Sequence, residues 1–233
     1  SCPAGHRLIN TTGYDKQECF KCPVDSYILE PNNPEHDCYK CPLGGDCNGE
    51  SFTPKTALSV WRENAVGQML LESCPAGHKL VNTAGYENQE CFSCDINSYI
   101  LDPNNQDHEC YQCPVRGGRC DGSSLYPITP SSVWSGDDKG EMWLSSCPAG
   151  HKLVNTTGYE NQECFKCNVD SYILEPNNPK HECYKCPLGL QCVDGTSFEA
   201  RTELSVWTAN GMGEMYLQSC PAGHRLINTT GYD

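Results

Sequence analysis

The chain has 233 residues, with 30 acidic against 16 basic side chains and a formal net charge of −14. That balance argues against nucleic acid or an anionic membrane surface as partner, since both are held by clustered Lys and Arg, and no run approaches the ~18 apolar residues of a membrane span. The hydrophobic class is 37% of the chain and already includes 19 cysteines, so what is left points to a covalently stapled scaffold rather than one large core.

The cysteines stand at Cys2, Cys19, Cys22, Cys38, Cys41 and Cys47, then Cys74, Cys91, Cys94, Cys110, Cys113 and Cys120, then Cys147, Cys164, Cys167, Cys183, Cys186 and Cys192, and finally Cys220. The same spacing frame recurs every 72 or 73 residues, and Ser1–Cys47 matches Ser146–Cys192 at 38 of 47 positions. The chain therefore reads as three tandem cysteine-rich modules, 1–72, 73–145 and 146–218, followed by the start of a fourth at 219–233. On this reading Cys220 is expected to find its partner beyond residue 233, the alternatives being a free thiol or an intermolecular bond. The opening SCPAGHRLINTTGYD returns unchanged at Ser219–Asp233, whereas the third module's version differs at three positions. Similarity thus returns after three modules, which suggests a higher-order period.

Within a module, the segment ECFKCPVDSYILEPNNPEHDCYKCP predicts a hairpin. Phe20, Tyr27 and Ile28 flank a Pro-Asn-Asn-Pro turn at Pro31–Pro34, which breaks any helix and reverses the chain. After the sixth cysteine comes a Val-Trp strand, a polar turn with Gly, and a second strand that alternates apolar residues, as in Met142 and Leu144. Trp61, Trp134 and Trp207 are expected to supply packing, by covering a disulfide or by lying on the next module. Sustained 3.6-residue periodicity is missing. The expected fold class is small, disulfide-rich and mostly β or irregular, with tandem modules strung into an elongated rod.

The spacing C-x2-C-x15-C-x2-C, seen in Cys19, Cys22, Cys38 and Cys41, also fits a zinc ribbon of four thiolates. His36, His108 and His181, each two residues before a cysteine, are conceivable further ligands. Against zinc, two more cysteines recur in each module and would be left idle. In addition, Asn10, Asn155 and Asn228 stand in Asn-Thr-Thr acceptor sites at one module position. Sequons beside six cysteines per module favour the secretory pathway and three disulfides per module, with no bound metal or cofactor and with N-linked glycans. A bridge closing a loop of this length contributes on the order of 3 kcal/mol in the chain-entropy model. Successive pairing, Cys2–Cys19, Cys22–Cys38 and Cys41–Cys47, is favoured. An interlocked Cys22–Cys41 with Cys38–Cys47 is the close rival.

The pattern CPAGH, C-x2-C and CYKCP resembles ephrin-receptor-like and TNF-receptor-like cysteine-rich modules. The run CYKCPLGGDCNGESFTPKTALSVW is more closely similar to tandem cysteine-rich repeats of large protist surface and extracellular fibre proteins. The departures are Ser59-Val60 before Trp61, and Arg116 and Arg119 around the turn of module two. The resemblance implies adhesion, receptor or fibre roles rather than chemistry.

Seven histidines recur at two module positions, four in PAGH and three before the fourth cysteine. An enzyme has little use for several copies of one general base along an array, so no catalytic residue is assigned. Asp102, Asp107 and Glu109 read as a solvated turn before a weak calcium site, since no ligand loop frames them. Module two lacks the sequon, having Asn82-Thr83-Ala84, and its bare face is expected to pack against other modules or chains. The expected function is structural: an extracellular, N-glycosylated repeat protein that self-associates as part of a long filament or surface fibre. The alternatives are the stalk of a receptor or adhesin and an intracellular zinc-ribbon array.

Overall fold

The computed structural model describes residues 1–10, 17–155 and 158–227. Among them the strands pair two by two, giving 12 two-stranded sheets, and the helical pieces are 3-10 turns at Tyr86–Asn88 and Tyr159–Asn161. Each repeat is a run of four hairpins. In repeat 1 these are β1 (His6–Asn10) with β2 (Gln17–Lys21), β3 (Ser26–Tyr27) with β4 (Tyr39–Lys40), β5 (Gly45–Cys47) with β6 (Phe52–Pro54), and β7 (Val60–Glu63) with β8 (Met69–Ser73). Isolated two-stranded ribbons are marginal in water, so each must be held from outside.

Disulfides supply much of that hold. Cys2–Cys19, Cys22–Cys38 and Cys41–Cys47 pair successively along repeat 1. Cys74–Cys91, Cys94–Cys110, Cys147–Cys164, Cys167–Cys183 and Cys186–Cys192 continue the order, and Cys113 and Cys120 are disulfide-bonded as well. Both members of each C-x2-C pair in repeat 1 therefore belong to different bridges, and Cys19, Cys22, Cys38 and Cys41 form no four-thiolate set. Among the described residues Cys220 carries a free thiol. The molecule is a small, disulfide-rich, mostly β protein of tandem modules. Disulfides at this density persist in oxidising compartments, which fits an extracellular setting.

Phe20 does not flank the Pro-Asn-Asn-Pro turn; it lies on β2, opposite Arg7, and is 50% exposed. Strand alternation turns it to the outer face of the first hairpin, while its neighbour Cys19 faces the Cys2 bridge. The second hairpin does pair Tyr27 with Tyr39. Its loop also has a longer reach than a simple reversal. Asn32 Oδ1 accepts from Cys2 N–H at 2.7 Å, and Asn104 and Asn177 do the same for Cys74 and Cys147 at 2.8 Å. Each Pro-Asn-Asn loop is thus folded back onto the first cysteine of its own repeat.

The core of a repeat is a handful of side chains. Tyr27 and Ile28, Tyr99 and Ile100, and Tyr172 and Ile173 are fully buried. Tyr27 and Phe52 have ring centroids 5.8 Å apart, and Phe52 lies 4.8 Å from Trp61. The Tyr27 hydroxyl accepts from Met69 N–H at 2.6 Å, and Tyr172 repeats the bond to Met215 at 2.6 Å. A second tie runs through histidine: a Cβ on Gly67, Gly140 or Gly213 would fall 2.5, 2.8 or 2.6 Å from Nδ1 of His36, His108 or His181. These glycines also have φ between +82° and +90°, so the turn of the fourth hairpin needs glycine on both counts.

Two compact units divide the chain. One comprises Ser1–Tyr111 with Cys120–Ser124 and Asp138–Glu141; the other comprises Gln112–Arg119, Leu125–Asp137 and Met142–Asp233. The first contains the passage from repeat 1 into repeat 2, and the second the passage from repeat 2 into repeat 3.

Burial pushes the Tyr27 phenol up to about 12 from its ordinary 10.0, and Tyr172 shifts the same way for the same reason. The unfolded chain ionises first, so this contribution to stability is whole below pH 10 and is lost as pH rises towards 12. Denaturant unfolding of the oxidised protein should show this fall. Tyr27→Phe should flatten it, at a cost of about 1–3 kcal/mol at neutral pH for the orphaned Met69 N–H.

Candidate functional site

The surface with the most recurrent construction is the junction where one repeat meets the next. It is built from the last hairpin of a repeat and the first hairpin of its successor. In both passages the tryptophan of the last hairpin faces the successor's first disulfide. Trp61 packs against Leu71, Cys74, Leu80 and Cys91, and Trp134 packs against the cluster of Leu144, Cys147 and Cys164 together with Leu153. Trp207 joins Tyr172, Leu190 and Met215 inside its own repeat. Indole suits this position because it covers the disulfide with a large, flat apolar area.

Backbone hydrogen bonds fix the approach. Leu43 and Gly44 N–H donate to the carbonyls of Glu87 and Gln89 at 3.0 and 2.9 Å, and Val115 N–H donates to that of Glu160 at 3.2 Å. Gly44 and Gly117 permit this closeness. A Cβ on Gly44 would lie 2.9 Å from both Glu90 Cα and the Trp61 ring, and one on Gly117 would lie 2.4 Å from both the Gln162 carbonyl and the Trp134 ring. Tyr39 and Tyr86 meet edge to face at 5.9 Å. The exposed pairs Lys40–Glu87 at 3.0 Å and Arg116–Glu163 at 3.1 Å cross the same junctions and add little stability in water.

A buried glutamine completes each junction. Gln89 and Gln162 are 5% and 2% exposed. Leu71 N–H donates to Gln89 Oε1 at 2.8 Å, and Gln89 Nε2 donates to Asn82 Oδ1 at 2.9 Å. Gln162 is placed identically, accepting from Leu144 N–H and donating to Asn155 Oδ1 at 2.9 Å. The leucine N–H is free for this bond because Leu71 stands opposite Trp61, and Leu144 opposite Trp134, in a non-hydrogen-bonded pair whose N–H points off the open edge of the ribbon, as does Met69 N–H two residues earlier. These amide orientations are fixed by chemistry: a backbone N–H can only donate, so each glutamine turns its oxygen to the leucine and its nitrogen outwards.

Asn155 is exposed and held through its Oδ1; Asn10 closes β1 opposite Gln17; Asn228 lies outside the described residues. His6, His78, His151 and His224 each bring Nδ1 to the carbonyl of the alanine two residues earlier, at 3.0, 3.1, 3.0 and 3.4 Å. His36 has Glu30 and Glu63 carboxylates at 3.8 and 3.7 Å, beyond hydrogen-bond reach. Asp102 Oδ1 accepts from Asn104 N–H and Glu109 pairs with Lys79, so these side chains serve a turn and an ion pair. Among the described residues no three His, Cys, Asp or Glu side chains converge as a metal set.

The junction glutamines and Gly44/Gly117 did not stand out in the sequence. Their signal is periodic: Gln-Glu-Cys recurs at Gln17, Gln89 and Gln162. Comparison with family models, with curated proteins and with solved structures finds no match for this chain.

Gly117→Ala should lodge a methyl in the junction and cost about 1–3 kcal/mol by overpacking. Gln162→Leu should cost about as much by stranding Leu144 N–H. Hydrogen exchange at the Leu144 amide is the check: it should accelerate in both variants. Peptide mapping without reduction should recover Cys2–Cys19, Cys22–Cys38 and Cys41–Cys47 as separate bridges, and a Cys22–Cys41 peptide would contradict this.

Proposed function

We propose that the chain is a structural segment of an extracellular, N-glycosylated filament or surface fibre, with no catalytic role, that self-associates with further copies of the array. The observation that carries this reading is the repetition of one junction. A tryptophan, a buried glutamine, a loop N–H group and a close-approach glycine join repeat 1 to repeat 2 and repeat 2 to repeat 3 alike. A head-to-tail contact that recurs from repeat to repeat propagates rather than closing on a partner. A common cysteine frame, with 38 of 47 positions shared between Ser1–Cys47 and Ser146–Cys192, suits a regular fibre, whereas divergent loop residues in one module would favour a ligand-binding stalk. The acidic surface and glycans keep such an array hydrated.

Lateral association has its own support. Val24, Ile96 and Val169 are 84%, 90% and 91% exposed, at one position in each repeat. Each precedes a residue with positive φ, Asp25, Asn97 or Asp170, so the turn pushes the apolar side chain outwards. Leu43, Val115 and Leu188 form a second exposed set at one position. Scattered exposed apolar residues are ordinary, but recurrence at a fixed position in every repeat suits contact with neighbouring copies. The sequon-free repeat 2 is the place where such a contact meets no glycan.

Electron microscopy of the native particle tests the main reading: a fibre whose axial repeat contains three modules supports it, and a discrete globular particle refutes it. Replacing Val24, Ile96 and Val169 together by Ser should leave the disulfide map and thermal unfolding unchanged while lowering sedimentable assembly at least ~10-fold, an effect of about 1.4 kcal/mol.

A further inference from the structure

Trp143 is the one tryptophan that does not follow the repeat. It stands on the strand Met142–Ser146, in register with Ser135, next to the buried Leu144. Strand alternation points Leu144 into the junction and Trp143 to the opposite face. Two open depressions flank it. One, of about 580 Å³, is lined by Asp137, Trp143, Asn155, Gly158 and Gln162. The other, of about 510 Å³, runs from Trp143 past Lys152 and Asn155 to Asn177 and Pro179. Trp143 and Asn155 line both.

The amide of Asn155 is oriented by the junction. Leu144 N–H fixes Gln162, and Gln162 Nε2 occupies Asn155 Oδ1. The oxygen is thereby held against the protein, and Nδ2, the atom that carries an N-linked sugar, is turned away from Gln162. Repeat 2 supplies an internal comparison. Gln89 holds Asn82 Oδ1 with the same 2.9 Å bond, yet Ala84 breaks the acceptor motif there. The residue twelve positions before Asn82 is Leu70; before Asn155 it is Trp143, and before Asn228 it is Tyr216. An aromatic residue therefore accompanies each intact motif that has a preceding strand in the chain, and a leucine accompanies the broken one.

We propose that Trp143 is the platform on which the first N-acetylglucosamine of an Asn155-linked glycan lies, its apolar pyranose face against the indole. The indole face is electron-rich and attracts the polarised C–H groups of a sugar ring, as it attracts other positive edges. The modification is a transfer from a lipid-diphosphate-linked oligosaccharide. Asn155 Nδ2 bonds to the anomeric carbon, the carbon–oxygen bond to the diphosphate breaks, the lipid diphosphate leaves with the electron pair, and an amide proton passes to a base of the transferase. The seated sugar covers Trp143 and tightens the junction that Gln162 already spans. This rests on the glycosylated reading above and adds a structural role to the glycan.

The test uses the full chain secreted from a glycosylating host, as wild type, Trp143→Leu and Thr157→Ala. Leucine is the residue that repeat 1 carries at this position, so the fold accommodates it. Glycopeptide mass spectrometry reads occupancy at Asn155, and proton NMR of labelled N-acetylglucosamine reads the indole ring current. The expected result is an occupied Asn155 whose first sugar has upfield-shifted protons in wild type and ordinary ones in Trp143→Leu. Trimming the glycan to its first sugar should leave proteolysis of the repeat 2–repeat 3 junction unchanged. Removing that sugar, or Thr157→Ala, should speed it roughly 2- to 10-fold, as one aromatic contact is worth. In the Trp143→Leu background the same removal should have no effect. An occupied Asn155 with no ring-current shift in wild type overturns the platform and leaves glycosylation standing, and this arm does not depend on any variant folding. A bare Asn155 in wild type overturns both.

Discussion

A repeat of this protein cannot bury enough to fold by apolar contact alone, and that shortage governs the rest of its structure. Tyr27 and Ile28, and their counterparts in the other repeats, are the fully buried centre of each unit. Around them stand two-stranded ribbons, none of which is broad enough to form a layer. Short covalent loops reduce the entropy of the unfolded chain so that a core this small suffices. Side chains that elsewhere would decorate a surface become structural ties: Asn32 caps the first cysteine, His36 lies on Gly67, and Tyr27 holds Met69 N–H.

The same shortage explains why the junction is so fully built. A tryptophan at the end of one repeat covers a disulfide that belongs to the next, so neither repeat completes its apolar surface without the other. Gln89 and Gln162 then settle register, because each satisfies a leucine N–H on the open edge of the previous hairpin. Neighbours are joined by packing and hydrogen bonds, while the eight disulfides from Cys2–Cys19 to Cys186–Cys192 described above stay within repeats.

The fold class was legible because its signals are covalent and periodic. The cysteine frame recurs with the chain's own period, and the alternation of Met142 and Leu144 has the two-residue rhythm of a strand. The place of Phe20 is not legible in the sequence, because it sits between two cysteines where two short ribbons adjoin, and a single step along a strand exchanges inside for outside. Gln162 passed unnoticed because a polar residue near a cysteine looks like surface; its burial depends on a partner hairpin eighteen residues earlier. Trp143 was hidden for the opposite reason. It departs from the repeat pattern, and only the folded junction brings it beside Asn155.

The successive pairing of cysteines has a mechanical corollary. A stretched chain can pay out only the residues that lie outside a closed covalent loop. Between Cys47, which ends one loop, and Cys74, which begins the next, lie 26 such residues. They carry the last hairpin and its tryptophan, and their contour length is on the order of 90 Å. Under tension the slack of the array is therefore stored beside its junctions, in segments that can peel open and reseat while every cysteine loop stays shut.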